Sequence, residues 1–261
     1  MNRYFVIAAL VAVLAACATS PTGRSQFLLM SPTEMDQMGA TAFADMKAGT
    51  KIDTQAVTNR YVSCVAKAIT AELDPKDQQP WEVVVFQDDT ANAFALPGGK
   101  IGVHTGLLKV AVNQDQLASV IGHEVGHVLA QHGNERMSIQ FASQSGQQLL
   151  GVLLAGTEQA PMLMAAMGLG AQYGVQLPFS RAHESEADLI GLKLMAKAGF
   201  EPQASVELWR NMAKSSNGAP PEFLSTHPAN QTRIDHLQDH MAEAQAIYQQ
   251  ARQQGKQPRC K

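Results

Sequence analysis

The chain has 261 residues, 45% of them hydrophobic and 16% charged, which is enough to bury one good core. Its 20 basic and 23 acidic residues leave a net charge of −3, and aromatics make up only 6%. That balance offers no broad attraction to nucleic acid or anionic lipid and no platform for stacked bases, so no nucleic-acid partner is expected.

The opening MNRYFVIAALVAVLAAC sets Arg3 before an apolar run from Tyr4 to Ala16. This is the layout of a secretory signal peptide, and the run falls short of the about 20 residues a membrane span needs. Residues 1–16 are therefore expected to be a signal peptide. Leu14-Ala15-Ala16-Cys17 resembles the bacterial lipobox, which implies lipidation of Cys17 and a periplasmic protein anchored to a membrane. Ala18, rather than Asp, follows the cysteine, and by analogy with the bacterial sorting rule this points to the outer membrane. Residues 17–32 are rich in Ser, Thr and Pro and read as a tether. Residues 33–261 are expected to form a single domain with a C-terminal helical extension. Two further cysteines remain, Cys64 and Cys260. In an oxidising compartment an even remainder is most simply a disulfide, here tying the tail to an N-terminal helix; a buried Cys64 with a free tail thiol is the other reading.

From Pro32 to Leu73 the pattern is helical, with Tyr61, Val65, Ala68 and Ile69 on one face. The period then changes. WEVVVF (81–86) is β-branched and aromatic, and NAFAL (92–96) and KIGVHTG (100–106) flank a Pro97-Gly98-Gly99 turn, which predicts a small sheet with a hairpin. Asn113, followed by Gln116 in capping-box position, opens the next helix. The apolar stretch Pro161–Val175 predicts a buried or cleft-covering helix. Ser180–Ala198 is a further helix stopped by Gly199 and Pro202, and the C-terminal part is helical and rich in Ala and Gln. The fold class is α+β, mostly helical, with a small sheet.

The helix after Asn113 carries HEVGH (123–127). Residues i and i+4 lie about 40° apart on a helix, so His123 and His127 can present nitrogens to one metal ion. Glu124 is turned about 100° away, too far to ligate but near enough to serve as a general base. A catalytic zinc needs a third protein ligand and an open position. His132 points about 140° from His127 if the helix continues, and is expected to be an exposed polar residue. In SRAHESEADLIGLKLMAKAG (180–199), Glu184 and Asp188 fall on the side of Ala187, Gly191, Met195 and Ala198, with Glu186, Lys193 and Lys197 opposite. Two carboxylates aimed into an apolar face would be costly unless ligated or hydrogen-bonded. Glu184 suits the third ligand, and Asp188, one turn on, suits holding a ligand imidazole in one tautomer.

HEVGH followed downstream by S-R-x-x-E-x-x-A-D resembles the family of zinc metallopeptidases that includes the CAAX prenyl protease, HtpX and mitochondrial Oma. It is most similar to that family's periplasmic lipoprotein branch (BepA-like and LoiP-like). NAFALPGGKIGVHTGL (92–107) resembles the family's edge strand beside its cleft, and STHPANQTRI (225–234) its T-H-P…R segment. The resemblance thus covers about residues 80–235 in four blocks, and nothing that rests on the tetratricopeptide array of BepA-like members is carried over. It implies a zincin-type domain with one zinc per chain, held by His123, His127 and Glu184, with Glu124 as base. Asn92, Ala93, Phe94 and Ala95 would pair with an extended substrate.

Left to the residues alone, His227 in STHPAN is an ordinary loop histidine. The resemblance instead implies a place near the metal, either closing the fourth position and keeping the enzyme latent or donating to the developing oxyanion. Arg233 would pair with Asp188. The function so implied is a zinc endopeptidase of the periplasm acting on misfolded or stalled envelope proteins, with outer-membrane assembly machinery as a partner. The rival is a chaperone-like assembly factor of outer-membrane proteins with a latent or vestigial zinc site. Glu124 separates the two, since a closed structural site needs no base.

Overall fold

The computed structural model describes residues 17–153, 162, 177–215, 227 and 231–261. The expected signal peptide, and all of Pro161–Val175 but residue 162, lie outside them. In chain order the elements are β1 (Cys17–Thr19), β2 (Ser25–Phe27), α1 (Pro32–Gly49), α2 (Ala56–Thr70), β3 (Glu82–Phe86), β4 (Ala93–Leu96), β5 (Lys100–His104), α3 (Gln114–Leu129), α4 (His132–Leu153), α5 (Leu177–Lys197), α6 (Ala204–Ser215), α7 (Gln231–Asp239) and α8 (Met241–Gln253). None of the described helices is long and apolar enough to cross a membrane. The chain divides into two compact units, one of residues up to 32 with 130–183, the other of 33–129 with 184–261.

In the first unit β1 and β2 form an antiparallel hairpin. This corrects the reading of 17–32 as a tether, because the segment is docked on α4. Arg24 donates to both carboxylate oxygens of Glu135 at 2.8 and 2.6 Å, and Gln26 donates to the Ala130 carbonyl at 2.6 Å. Farther along, Leu29 N–H donates to Ser138 Oγ and Met30 N–H to Asn134 Oδ1. Small polar residues satisfy a flexible linker and a docked hairpin equally well; the partner that decides between them lies more than a hundred positions away. Glu135 is fully buried. Burial alone would raise its pKa, but hydrogen bonds from His183, Arg24 and Gln26 outweigh burial and hold it down to about 2.

His132 is likewise corrected. It is buried, and its ring stacks on His183 at 4.2 Å and 19°. The helix of HEVGH does not continue to it: Gln131 takes φ 51°, a left-handed break, and His132 opens α4.

In the second unit the three-stranded sheet has the order β3-β5-β4, with β5 parallel to β3 and antiparallel to β4. The β4–β5 turn uses Gly98 and Gly99 at φ 76° and 69°, where a side chain would be strained. The helical pattern expected over Pro32–Leu73 is interrupted, since Asp53 N–H donates to the Val85 carbonyl and Gln87 N–H to the Lys51 carbonyl. That short strand-like contact covers the outer side of β3, and in the strand order β4 is the other edge.

α2 turns Val62, Val65, Ala66 and Ile69 fully into the core, and its Cys64 is joined to Cys260 by a disulfide. Gln114 also grips the tail, accepting from Cys260 N–H at 2.9 Å and donating to the Pro258 carbonyl. α3 begins as its cap predicts. Asn113 Oδ1 accepts from Gln116 N–H at 2.8 Å, and Gln116 reaches back to Val112 N–H at 3.0 Å. α3 and α5 cross backbone to backbone at Gly122 and Gly191, and again at Gly126 and Ala187. Gly199, at φ 84°, ends the run after α5. Glu186, expected on the outer side of α5, is 6% exposed and so is also buried.

Candidate metal centre

The second unit brings together side chains from α3, α5, α7 and the segment before α7. His123 and His127, one turn apart on α3, hold their Nε2 atoms 3.0 Å from each other. Across the glycine-lined crossing, Glu184 of α5 presents Oε2 to His123 Nε2 and Oε1 to His127 Nε2, each at 3.4 Å. His227 completes the group, with Nδ1 3.2 Å from His123 Nε2 and 3.1 Å from both oxygens of Glu184. Donor atoms of these four residues all lie within 4.8 Å of one another. A tetrahedral ion with bonds of about 2.0–2.1 Å sets its ligand atoms about 3.4 Å apart, so the spacings of 3.0 to 3.4 Å fit such an ion.

The charges fit it too. Glu124, Glu184 and Asp188 are buried together against one cation, Arg233. Burial alone would lower the pKa of His123, but Asp188 and Glu184 outweigh burial and push it up to about 9. The local field therefore favours a positive charge at this imidazole. His127 is driven well below its usual value, by burial first and then by the charge favoured at His123. Burial would raise Glu184, yet hydrogen bonds from the three histidines hold it far below the usual carboxylate range.

Around these donors a second set of side chains holds them in place. Asp188 Oδ1 lies 2.9 Å from His123 Nδ1, which leaves Nε2 facing the centre. Arg233 of α7 grips Asp188 with two hydrogen bonds, Nε to Oδ2 at 2.7 Å and Nη2 to Oδ1 at 2.6 Å. Its Nη1 reaches Glu184 Oε2 at 2.9 Å. Glu124 stands beside the donors without joining them. Its Oε1 is buried with no hydrogen-bond partner and lies 3.4 Å from His227 Nε2. A buried carboxylate oxygen left in this state is costly unless it meets a donor during function.

The residues expected to bind substrate lie on or next to β4, which packs against α3. Asn92 precedes the strand, and its carbonyl accepts from His104 N–H at 3.0 Å. Ala93 is buried and Ala95 half-buried, while the ring of Phe94 stacks on Phe86 and meets Phe43 edge-on. The side chain of Phe94 thus serves the core, and it is the main chain of the edge that could meet a partner strand. Cys17 opens β1 in the first unit. Trp209 of α6, which the sequence reading missed, lies with its ring centroid 4.0 Å from Arg233 Cζ and 6.4 Å from the ring of His123. A single tryptophan in an amphipathic helix was the only signal for it.

A buried carboxylate beside a three-histidine, one-carboxylate donor set, three of whose members lie on crossed helices, defines a metallopeptidase type of site. The comparisons with known proteins agree. The model of peptidase family M48 matches residues 56–241, and the chain belongs to that family. The chain is 38% identical over 190 residues to the mitochondrial metalloendopeptidase OMA1 of Schizosaccharomyces pombe, covering 72% of this chain and 54% of that one. It is 29% identical over 219 residues to the β-barrel assembly-enhancing protease of Yersinia pestis, covering 81% and 45%. The chain spans about half the length of the curated relatives it matches.

Proposed function

We propose that the protein is a zinc-dependent endopeptidase of the bacterial periplasm, held to the outer membrane by a lipid on Cys17, that cuts misfolded or stalled envelope proteins. The observation that carries the enzymatic part is the buried Oε1 of Glu124, which accepts no hydrogen bond, beside the four-donor cluster. His123, His127 and Glu184 would hold the ion. When bound, zinc acts as a Lewis acid and lowers the pKa of water towards about 7. Glu124 takes the proton of the attacking water and passes it to the leaving amine. Asp188 and Arg233 keep His123 and Glu184 oriented throughout. The edge of β4 offers main-chain groups to an extended segment, giving sequence-tolerant binding suited to unpaired strands of unfolded β-barrel proteins. Two of the relatives are named for assisting β-barrel assembly, which supports that substrate class and an assembly machinery as partner. His227, whose Nδ1 lies 3.2 Å from His123 Nε2 and 3.1 Å from Glu184, would be a further donor to the ion and would keep the resting enzyme latent until its imidazole swings aside.

The test is Glu124→Gln. The variant is expected to retain one zinc per chain and to lose cleavage of an unfolded outer-membrane protein. Cleavage at the wild-type rate would sink the mechanism. For attachment, intact mass should show acyl chains on Cys17, and Cys17→Ser should leave the membrane fraction; an unmodified Cys17 would refute this part.

A further inference from the structure

We propose that Trp209 is a positioning residue of the metal centre, its indole face holding the Arg233 guanidinium where one cation serves Glu184 and Asp188 together. The inference rests on the reading of that centre as a metal site. Arg233 and Trp209 are each only 3% exposed. The edge of the guanidinium is spent on carboxylates, with two hydrogen bonds to Asp188 and one contact to Glu184 Oε2. A planar cation bound by its edge still presents its faces, and burial deprives them of water. Trp209 covers one of them at 4.0 Å, the geometry in which the ring's negative face attracts a cation.

The consequence reaches the metal donors. Arg233 engages Oε2 of Glu184, whereas Oε1 is the oxygen that faces His127. Oε2 also faces His123 at 3.4 Å, so fixing it sets the orientation of the whole carboxylate towards both imidazoles. The same guanidinium holds Asp188, which in turn fixes His123 through Nδ1 at 2.9 Å. Trp209 also meets the ring of His123 edge-on, at 82°. Without the indole, the long Arg233 side chain gains rotational freedom, and both the carboxylate ligand and the imidazole ligand lose their fixed support. Trp209 lies on α6, which packs against α3 and α7, the two helices that carry His123 and Arg233.

The test uses zinc itself as probe, titrated against a chelator of known affinity. Trp209→Leu keeps an apolar side chain but removes the ring, and should weaken zinc binding about tenfold; Trp209→Phe should recover much of the loss, because a phenyl face still attracts the guanidinium. The chain has two tryptophans, so in Trp81→Phe protein the emission of Trp209 reports alone. Zinc should change that emission through His123. A ring that only fills space predicts a lower melting temperature for Trp209→Leu with unchanged zinc affinity, and that result overturns the inference. Should Trp209→Leu fail to fold, Trp81→Phe protein carries the test, and an emission blind to zinc refutes the inference. Wild-type protein that binds no zinc would instead remove the metal-centre reading on which the inference stands.

Discussion

Gly191→Ala should damage the metal centre without touching any donor. A Cβ built on Gly191 falls 2.6 Å from His123 N, 2.7 Å from Gly122 C and 2.9 Å from His123 Cα, whereas ordinary contacts begin at 3.4 Å. All three obstacles are backbone, so no side chain can rotate out of the way. α3 and α5 must separate by roughly 1 Å at the crossing, an overpacking that costs about 1–3 kcal/mol of stability. The displacement does not stay local. Gly191 lies seven residues, about two turns, beyond Glu184 on the same stripe of α5, and His123 is on the opposing wall. The 3.4 Å separations between Glu184 and the two imidazoles would open by a similar amount. Zinc affinity should fall about 10- to 100-fold, as when supports of a metal ligand are lost, and turnover by about 10²-fold. Chelator competition and peptide hydrolysis measure these, with Gly146→Ala as control because a Cβ there meets nothing within 4 Å. Folded Gly191→Ala protein with wild-type zinc affinity and turnover would show that the glycine crossing does not set the donor spacing.

Cys260→Ser opens a loop of sequence separation 196, for which the chain-entropy model gives about 5 kcal/mol as an upper figure. Gln114 still grips the tail and Lys256 still pairs with Glu72 at 2.6 Å, so denaturant titration should find a smaller loss. No loss at all would mean that the bridge constrains nothing. Glu135 has a folded pKa lowered to about 2 from an ordinary 4.5, so its stabilisation is complete above about pH 4.5 and is lost as pH falls towards 2. The shift corresponds to about 3 kcal/mol before solvent screening. Glu135→Gln should be less stable at neutral pH and should flatten the acid limb between those values; an unchanged acid limb would contradict the assignment. Zinc should raise the melting temperature of the wild-type protein and not that of Glu184→Ala, as binding to the folded state alone requires. An equal rise in both would show that Glu184 is not a donor.

Much of the site was legible because its signals are local. The spacing of His123 and His127 follows from the helical period, and so does the turning of Glu124 away from them. The same period set Glu184 and Asp188 among Ala187, Gly191 and Met195, all of which the fold buries, the Gly191 backbone lying directly against α3. The Pro97-Gly98-Gly99 turn and the Asn113 cap are likewise local rules that the backbone obeys. His227 and Arg233 were reached only through resemblance to a family motif, since no periodicity links them to α3. Glu186 went astray because a helical wheel counts one apolar side, whereas α5 is covered on more than one.

What the sequence determined by itself was the placing of His123, Glu124 and His127 on one helix and of Glu184 and Asp188 on another, because each depends on spacings of four residues or fewer. Tertiary structure alone decided the rest. It docked Arg24 and Gln26 on Glu135, stacked His132 on His183, and laid Trp209 against Arg233. Each of these joins residues tens of positions apart or more, and each offsets the desolvation of a buried charge or ring that looks solvent-facing when read along the chain. A charge can be buried only where a partner waits, and the partner's position is a property of the fold.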